Sequence, residues 1–493
     1  MTMARAPSLD AEIQKNSGAF YTPNEVVQTL LHWAVRDRGD LLLDPACGDG
    51  RFLAAHQQSV GVEMDEAAAG IARERSPSAL VHQGDFFSWA EDERTRFDCA
   101  CGNPPFIRYQ RFAGTTRDRA LTLCKRLGVR VSALTSSWVP FLIVAASLLK
   151  GGGRMAFVVP AEVGHAPYAA PLIWFLTGNF RRVQIVAIRR RLFERLSEDA
   201  WLLYAEGFRD STDHIVLTQL DEFERSGALR SEGTVVALSD WEKWRCRLRP
   251  FLLGADIRAA YERLCEAPGT SRLQSIARVG IGYVTGANDF FHLRPSTARR
   301  AGVPDALLCP TVRNSRLLPR DVLTSRIVEG WLRRDEPVLL LRLHPDQDLP
   351  SCVARYLDSP EGHAARASYK CRNRDPWYVV PDVSIPDAFL TYMSGEGPLL
   401  VANKAHCACT NSLHAVRMKN GARISDLQAV WHHPLTRLSC EVEGHPLGGG
   451  MLKLEPGEAA SLIIPNQTLV LSRRDLHCLE DGIAQMRRWR HYV

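Results

Sequence analysis

The chain has 493 residues, is 45% hydrophobic and carries a formal net charge of +6. That supports a sizeable core spread over two or three domains, and it permits a polyanionic partner without demanding one. No run of eighteen apolar residues occurs and the N-terminal stretch has no apolar leader core, so the expectation is a cytoplasmic chain with no membrane association. Thirteen cysteines, an odd number scattered along the sequence, suit reduced thiols.

In chain order, the segment GAFYTPNEVVQTLLHWAV (residues 18–35) reads as a helix. Thr22 is expected to cap it, with Pro23 at the first helical position and Glu25 closing a capping box. Val26, Val27, Leu30, Leu31 and Ala34 then recur at helical spacing. LLLDPA (41–46), SVGVEMD (59–65), ALVHQGDFF (79–87) and RFDCACG (96–102) read as strands. A helix over 132–150 follows, then GGGRMAFVVP (151–160), RRVQIVAI (181–188) and DAWLLYAEG (199–207) as further strands. Strands alternating with helices imply an α/β domain with a doubly wound parallel sheet. The texture turns irregular after Phe208, which places the expected boundary between domains 1–210 and 211–493, the second mixing strands, helices and long loops.

The turn DPACGDG (Asp44 to Gly50) follows the first strand. Ligands of open parallel sheets bind beyond the carboxyl ends of strands, and Gly48 and Gly50 allow positive φ and a close backbone approach. A tight turn with no ligand has the same pattern. Glu63 ends the second strand, where a carboxylate can accept from both hydroxyls of a ribose. Asp85 and Phe86 end the third, where a carboxylate can accept from an adenine amino group and a ring can flank the base. Neither a GxGxxG turn nor a GxxxxGK[ST] loop is present, so the site wants an adenosine without a phosphate chain. S-adenosylmethionine fits that description.

The fourth strand runs into CGNPPFIRYQ (101–110). The Asn103 side chain can accept from an exocyclic amino group. Pro104 and Pro105 fix φ twice and carry no N–H, so the Pro104 carbonyl can serve as a second acceptor. Phe106 offers a flat face to a purine. Two acceptors on an amino nitrogen would aim its lone pair at an electrophilic methyl, and a base inside a duplex would have to be flipped out to reach them. A strand-ending Pro-Pro turn over a core Phe is the plain alternative.

The order GAFYTP, DPACGDG, GVEMD, GDFF, GNPPF resembles the N6-adenine DNA methyltransferases, and within them the gamma group of Taq-type, type II restriction–modification enzymes. The resemblance implies a class I SAM-dependent methyltransferase fold, Rossmann-like with a seven-stranded mixed sheet, and a C-terminal α+β target-recognition domain. It implies that Tyr21, Thr22 and Pro23 enclose the methionine part of S-adenosyl-L-methionine. Asp44, Pro45, Ala46, Cys47, Gly48 and Gly50 would lie against the cofactor, Glu63 would hold its ribose, and Asp85 with Phe86 its adenine. Asn103, Pro104, Pro105 and Phe106 would hold the target adenine, with Phe193, in RRRLFERLSEDAWLLYAEG, against its other face or else packed in the core. Transfer would be a direct in-line displacement. The expected partner is double-stranded DNA, with either a restriction endonuclease acting on the same site or none, the chain then being a solitary marker of host DNA. Only a short stretch precedes GAFYTP, so no separate specificity subunit is expected. Arg181, Arg182 and Arg189 to Arg191 could meet phosphates or form a solvated face.

In the second half, IGYVTGANDFFHL (281–293), RNRDPWYVVP (372–381), VANKAHC (401–407) and GGGMLKLEPGE (448–458) resemble the family's target-recognition region. Arg372, Arg374, Trp377, Tyr378 and Lys404 are candidate DNA contacts, each equally readable as core or surface. His406, Cys407, Cys409 and His414 lack the spacing of a zinc site, and no metal is expected. Asp240, Glu242 and Lys243 are too closely spaced for a nuclease centre. Two other readings remain: a methyltransferase of protein glutamine or RNA, and an inactive DNA-binding relative. The long second half speaks against the first, and intact NPPF and glycine-turn motifs against the second.

Overall fold

The computed structural model describes residues 22–193, 199–223, 233–447 and 449–492. The chain divides into two compact units, Met1–Leu252 and Leu253–Val493. The first is built on one sheet of nine strands: β1 (Leu42–Asp44), β2 (Ser59–Glu63), β3 (Leu80–Gln83), β4 (Phe97–Gly102), β5 (Leu149–Pro160), β6 (Phe180–Ile188), β7 (Ala200–Phe208), β8 (His214–Leu220) and β9 (Thr234–Ala237). Their order is β3-β2-β1-β4-β5-β7-β6-β8-β9. Strands β1 to β5 are mutually parallel where they pair, while β7 runs antiparallel between β5 and β6. This is a mixed sheet, as expected, but of nine strands rather than seven.

The two additional strands also move the boundary from residue 210 to 252. Ile215, Val216 and Leu217 are buried, and β8 pairs in parallel with β6. An apolar strand of this kind covers an edge that would otherwise be open to pairing. The irregular stretch after Phe208 is therefore a turn within the first unit.

Helices α1 (Asn24–Ala34), α2 (Arg51–Ala54), α3 (Glu66–Arg75), α4 (Phe86–Asp92), α5 (Gly114–Arg126), α6 (Trp138–Ser147) and α7 (Ala170–Asn179) connect the strands. The apolar stripe of α1 packs in one cluster with Leu42, Cys99, Cys101, Ala156 and Val158 of the sheet. The expected Thr22 cap is not formed. Pro23 has ψ 140°, so the helix starts at Asn24, and the Pro23 carbonyl accepts from the Val26 and Val27 N–H groups at 3.0 and 3.1 Å. The expected helix over 132–150 is shorter: α6 begins at Trp138, and Leu149 already belongs to β5.

The second unit is α+β. Its largest sheet has five strands, in the order Ala277–Ile281, Leu413–Met418, Ala388–Thr391, Leu400–Asn403 and Val322–Leu323. Both faces are covered: Ala388, Leu390 and Val416 face one core cluster, while Phe389, Val401 and Ala415 face another. The alternation follows from the two-residue period of a strand. The fully buried Arg490, at the C-terminal end of the long helix Arg473–Trp489, donates to both oxygens of Glu441, at 2.7 and 2.8 Å. No helix among the described residues is long and apolar enough to cross a membrane.

Candidate active site

Parallel register brings the carboxyl ends of β1, β2 and β4 to one level, with Asp44 beside Gly61 and Leu43 beside Ala100. The turn after β1 is held by short-range hydrogen bonds. The Ala46 N–H donates to Asp44 Oδ1 at 3.2 Å, and the Cys47 N–H to the Val62 carbonyl at 3.0 Å. Gly50 has φ +80°, and a Cβ there would lie 2.8 Å from Ala72 Cα, so helix α3 closes directly on the turn. Gly48 also has positive φ, but a Cβ there would meet nothing within 4 Å. One glycine lets a helix in; the other faces open space.

Glu63 spans the turn. Its Oε2 accepts from the Gly48 N–H at 2.9 Å and its Oε1 from the Asp65 N–H at 2.8 Å. Asp44 is only 1% exposed. Burial, reinforced by the nearby Glu63 charge and opposed by the Ala46 hydrogen bond, pushes its carboxyl up to about 8. A buried acid held this way favours a cation brought against it. A Cβ on Gly102 would lie 2.7 Å from Asp44 Oδ1. The carboxylate thus occupies the space of the side chain that Gly102 lacks, one residue before Asn103.

At the end of β3, Asp85 caps α4 by accepting from the Ser88 N–H at 2.7 Å. Its other oxygen, Oδ2, is buried with no hydrogen-bond partner, and Arg119 Nη1 lies 3.9 Å from Oδ1. Phe86 departs from expectation. Its ring is 2% exposed and stacks on Phe141, with centroids 5.2 Å apart and planes at 13°. It braces the Asp85 turn and offers no free face.

Cys47 turns its thiol away from the edge, among Leu53, Ala69, Ala72 and Val81. Burial pushes that thiol above its usual range, leaving the residue only its backbone to offer a ligand. Thr22 is buried, and its carbonyl accepts from Arg51 Nη1 at 3.0 Å. Tyr21 lies outside the described residues. Asn103 Oδ1 is buried, and Phe106 and Phe193 pack against the same core cluster as α1. At 8% exposure Phe193 is a member of that core in this structure.

Two family models match the chain: N-6 DNA Methylase over residues 8–164 and the C-terminal domain of the type II methyltransferase M.Eco57I over residues 242–489. The chain belongs to the type II DNA adenine-N6 methyltransferases of restriction–modification systems. Among its relatives, the methyltransferase is 24% identical to M.XamI of Xanthomonas campestris pv. amaranthicola, over 91% of this chain and 85% of that one. It is 18% identical to M.AccI of Acinetobacter calcoaceticus, over 92% and 86%. In fold it resembles the type IIL restriction–modification enzyme MmeI, solved in complex with DNA, with a TM-score of 0.51 and 13% identity over 92% of this chain. It spans 64% of that enzyme's length.

One residue of the methyltransferase's site escaped the sequence reading. Ser137 falls inside the helix expected over 132–150 but stands just before α6, where its hydroxyl makes no cap bond. It accepts instead from the Ile107 N–H at 3.0 Å and donates to the Pro105 carbonyl, while its own N–H donates to the Ile107 carbonyl at 2.9 Å. Ser137 is fully buried and grips the backbone on both sides of Phe106. Ser137→Ala removes two of these three bonds and is expected to lower kcat by about 10- to 100-fold through a looser loop, with cofactor affinity unchanged. Steady-state kinetics beside cofactor calorimetry would show it; an unchanged kcat would contradict the positioning role.

The arginines near β6 are mostly engaged. Arg189 pairs with Asp221 at 2.9 Å, Arg190 with Glu222 at 2.7 Å and Arg191 with Asp199 at 3.3 Å, so they are not a bare phosphate-binding face. In the second unit Arg374 donates to the Thr285 and Val284 carbonyls at 2.7 and 2.5 Å. Trp377 lies against Phe290 and Phe291, and Tyr378 packs in the same cluster. The TG-containing motif is structural as well: Tyr283 Oη bonds His292 Nε2 at 2.8 Å and Thr311 Oγ1 at 2.6 Å. Arg372 and Lys404 remain exposed. Cys407 and Cys409 lie in one core cluster, His406 is exposed, and His414 Nε2 bonds the Leu454 carbonyl at 2.7 Å. Asp240, Glu242 and Lys243 share the short helix Leu238–Lys243.

Proposed function

We propose that the methyltransferase binds S-adenosyl-L-methionine along the carboxyl edge of β1 to β4 and methylates N6 of an adenine flipped out of double-stranded DNA at one specific sequence. The observation that carries this reading is the juxtaposition of Asp44 and the Asn103 loop across Gly102, which sets a cofactor carboxylate and a target-base acceptor on neighbouring strands. The residues fit the cofactor. The open space over Gly48, the vacant Asp85 Oδ2 acceptor and the buried Asp44 carboxyl supply a flat path, an amino acceptor and a partner for positive charge.

When bound, the cofactor supplies an electrophilic sulfonium methyl. The protein's own work is to hold the nucleophile. Asn103 Oδ1 and the Pro104 carbonyl accept from the adenine amino group and aim its nitrogen lone pair, and Phe106 lies against the base, while Phe193 stays packed in the core. Positioning and exclusion of water supply most of the acceleration, and no covalent enzyme intermediate is required. Glu63 holds the ribose and Asp85 the cofactor adenine. In this reading the first unit is the catalytic domain and the second the target-recognition domain, the gamma-group arrangement. The protein works on DNA in the cytoplasm, beside an endonuclease that cuts the same site.

Calorimetric titration with S-adenosylmethionine tests the cofactor half. Wild type is expected to bind, and Asp85→Ala and Glu63→Ala each to weaken binding by about 10- to 100-fold, the loss of a hydrogen bond to a charged group. Equal affinity in all three proteins would remove the edge from the cofactor site.

A further inference from the structure

The edge strand Ala277–Ile281 pairs antiparallel with Leu413–Met418, and the register sets Arg278 directly opposite Arg417. Like charges directly opposed across a ladder are destabilising, so the pair is costly unless an anion lies over it. Beside it opens a groove of about 610 Å³ whose walls also carry Lys370 and Arg374, against a single carboxylate, Asp382. Two half-buried arginines donate to neutral groups: Arg374 to two backbone carbonyls and Arg417 to the Ser384 hydroxyl. The cationic charge of the groove is thus left for a ligand.

The floor is shaped for an extended ligand. Gly280 lies opposite Ala415, and a Cβ at Gly280 would meet nothing within 4 Å. Two apolar side chains border the cations: Tyr369 at 67% exposure and Ile281 at 57%. The Arg372 guanidinium lies over the Tyr369 ring, 5.4 Å from its centroid. A small anion would use the charges alone. A nucleic-acid strand uses both, with phosphates on the cations and sugars or bases against the tyrosine and isoleucine.

We infer that this groove seats a strand of the DNA substrate, with consecutive phosphates on Arg278, Arg417 and Lys370 and Tyr369 against the intervening sugar or base. The inference rests on the reading of the second unit as the DNA-recognising one. Arg374 holds the wall in place through its two carbonyl bonds, and Asp382 keeps the strand away from the far side.

The test is equilibrium binding of a fluorescent duplex to the full chain across a salt series. Arg278→Ala and the exposed Lys370→Ala are each expected to weaken binding about 10-fold and to lower the slope of log K against log salt by about one. Asp382→Asn is expected to tighten it, and the gain is a result that misfolding cannot produce. S-adenosylmethionine affinity, measured on the same proteins, stays at the wild-type value. Wild-type binding to DNA with all three variants at the same affinity and slope overturns the groove and leaves the methyltransferase reading intact. Binding of inorganic phosphate at millimolar levels that is lost in Arg278→Ala and leaves DNA binding unaffected also overturns it in favour of a small-anion site. A wild type that binds no duplex overturns the groove together with the reading it rests on.

Discussion

Asp44→Asn is expected to stabilise the protein while weakening its cofactor affinity by about 10- to 100-fold. Burial raises the Asp44 carboxyl from 3.8 to about 8. Its folded-state value therefore lies above the unfolded one, and between about pH 4 and pH 8 the folded chain keeps a proton that the unfolded chain has lost. Stability contributed by this group is complete below the unfolded value and falls as pH rises through that window. Asparagine does not titrate. The variant and the wild type should then melt alike near pH 4 and diverge as pH rises, with the variant the more stable by several °C above pH 8. Cofactor binding should show the reverse linkage. A cation beside the ionised acid draws the proton off, so wild-type affinity rises with pH up to about 8 and the variant's does not. Parallel melts and titrations at pH 5, 7 and 9 check both signs, and a wild type whose cofactor affinity is flat in pH would contradict the role given to Asp44.

Asn103→Ala carries the second large effect. It removes one of the two acceptors that aim the target nitrogen while leaving the Pro104 carbonyl. Loss of a preorganised polar contact at the reacting group costs about 10²- to 10³-fold in kcat. Asp44, Glu63 and Asp85 are untouched, so cofactor affinity should hold. Single-turnover rates separate this from a binding defect; a parallel fall in cofactor affinity would mean that the loop supports the cofactor instead.

What the sequence made legible follows from what it encodes locally. The turn glycines, the acids at strand ends and the Asn-Pro-Pro break are short-range features, so Asp44, Glu63, Asp85 and Asn103 could be placed at one edge once the strands alternated with helices. Phe86 misled because an aromatic at a strand end looks the same whether it faces a ligand or a second ring, and its stack on Phe141, 55 positions away, is a tertiary choice. Ser137 was hidden for a similar reason: it fell inside the helix expected over 132–150, and its grip on Pro105 and Ile107 spans some thirty residues. The boundary slipped because β8 and β9 sit beyond an irregular turn that resembles a linker. In the second unit the eye-catching motif residues, Tyr283, Arg374 and Trp377, are spent on packing. The groove that carries the charge is assembled from Arg278, Lys370 and Arg417, which no local pattern connects.

The central claim is that the Asn103 loop delivers an adenine amino group of duplex DNA to the cofactor methyl. Unmethylated plasmid incubated with isotope-labelled S-adenosylmethionine, then digested to nucleosides and analysed by mass spectrometry, tests it most directly. Labelled N6-methyladenine is expected from the wild type, with a yield lower by about two to three orders of magnitude from Asn103→Ala. Label in cytosine, or equal yields of N6-methyladenine from both proteins, would contradict it.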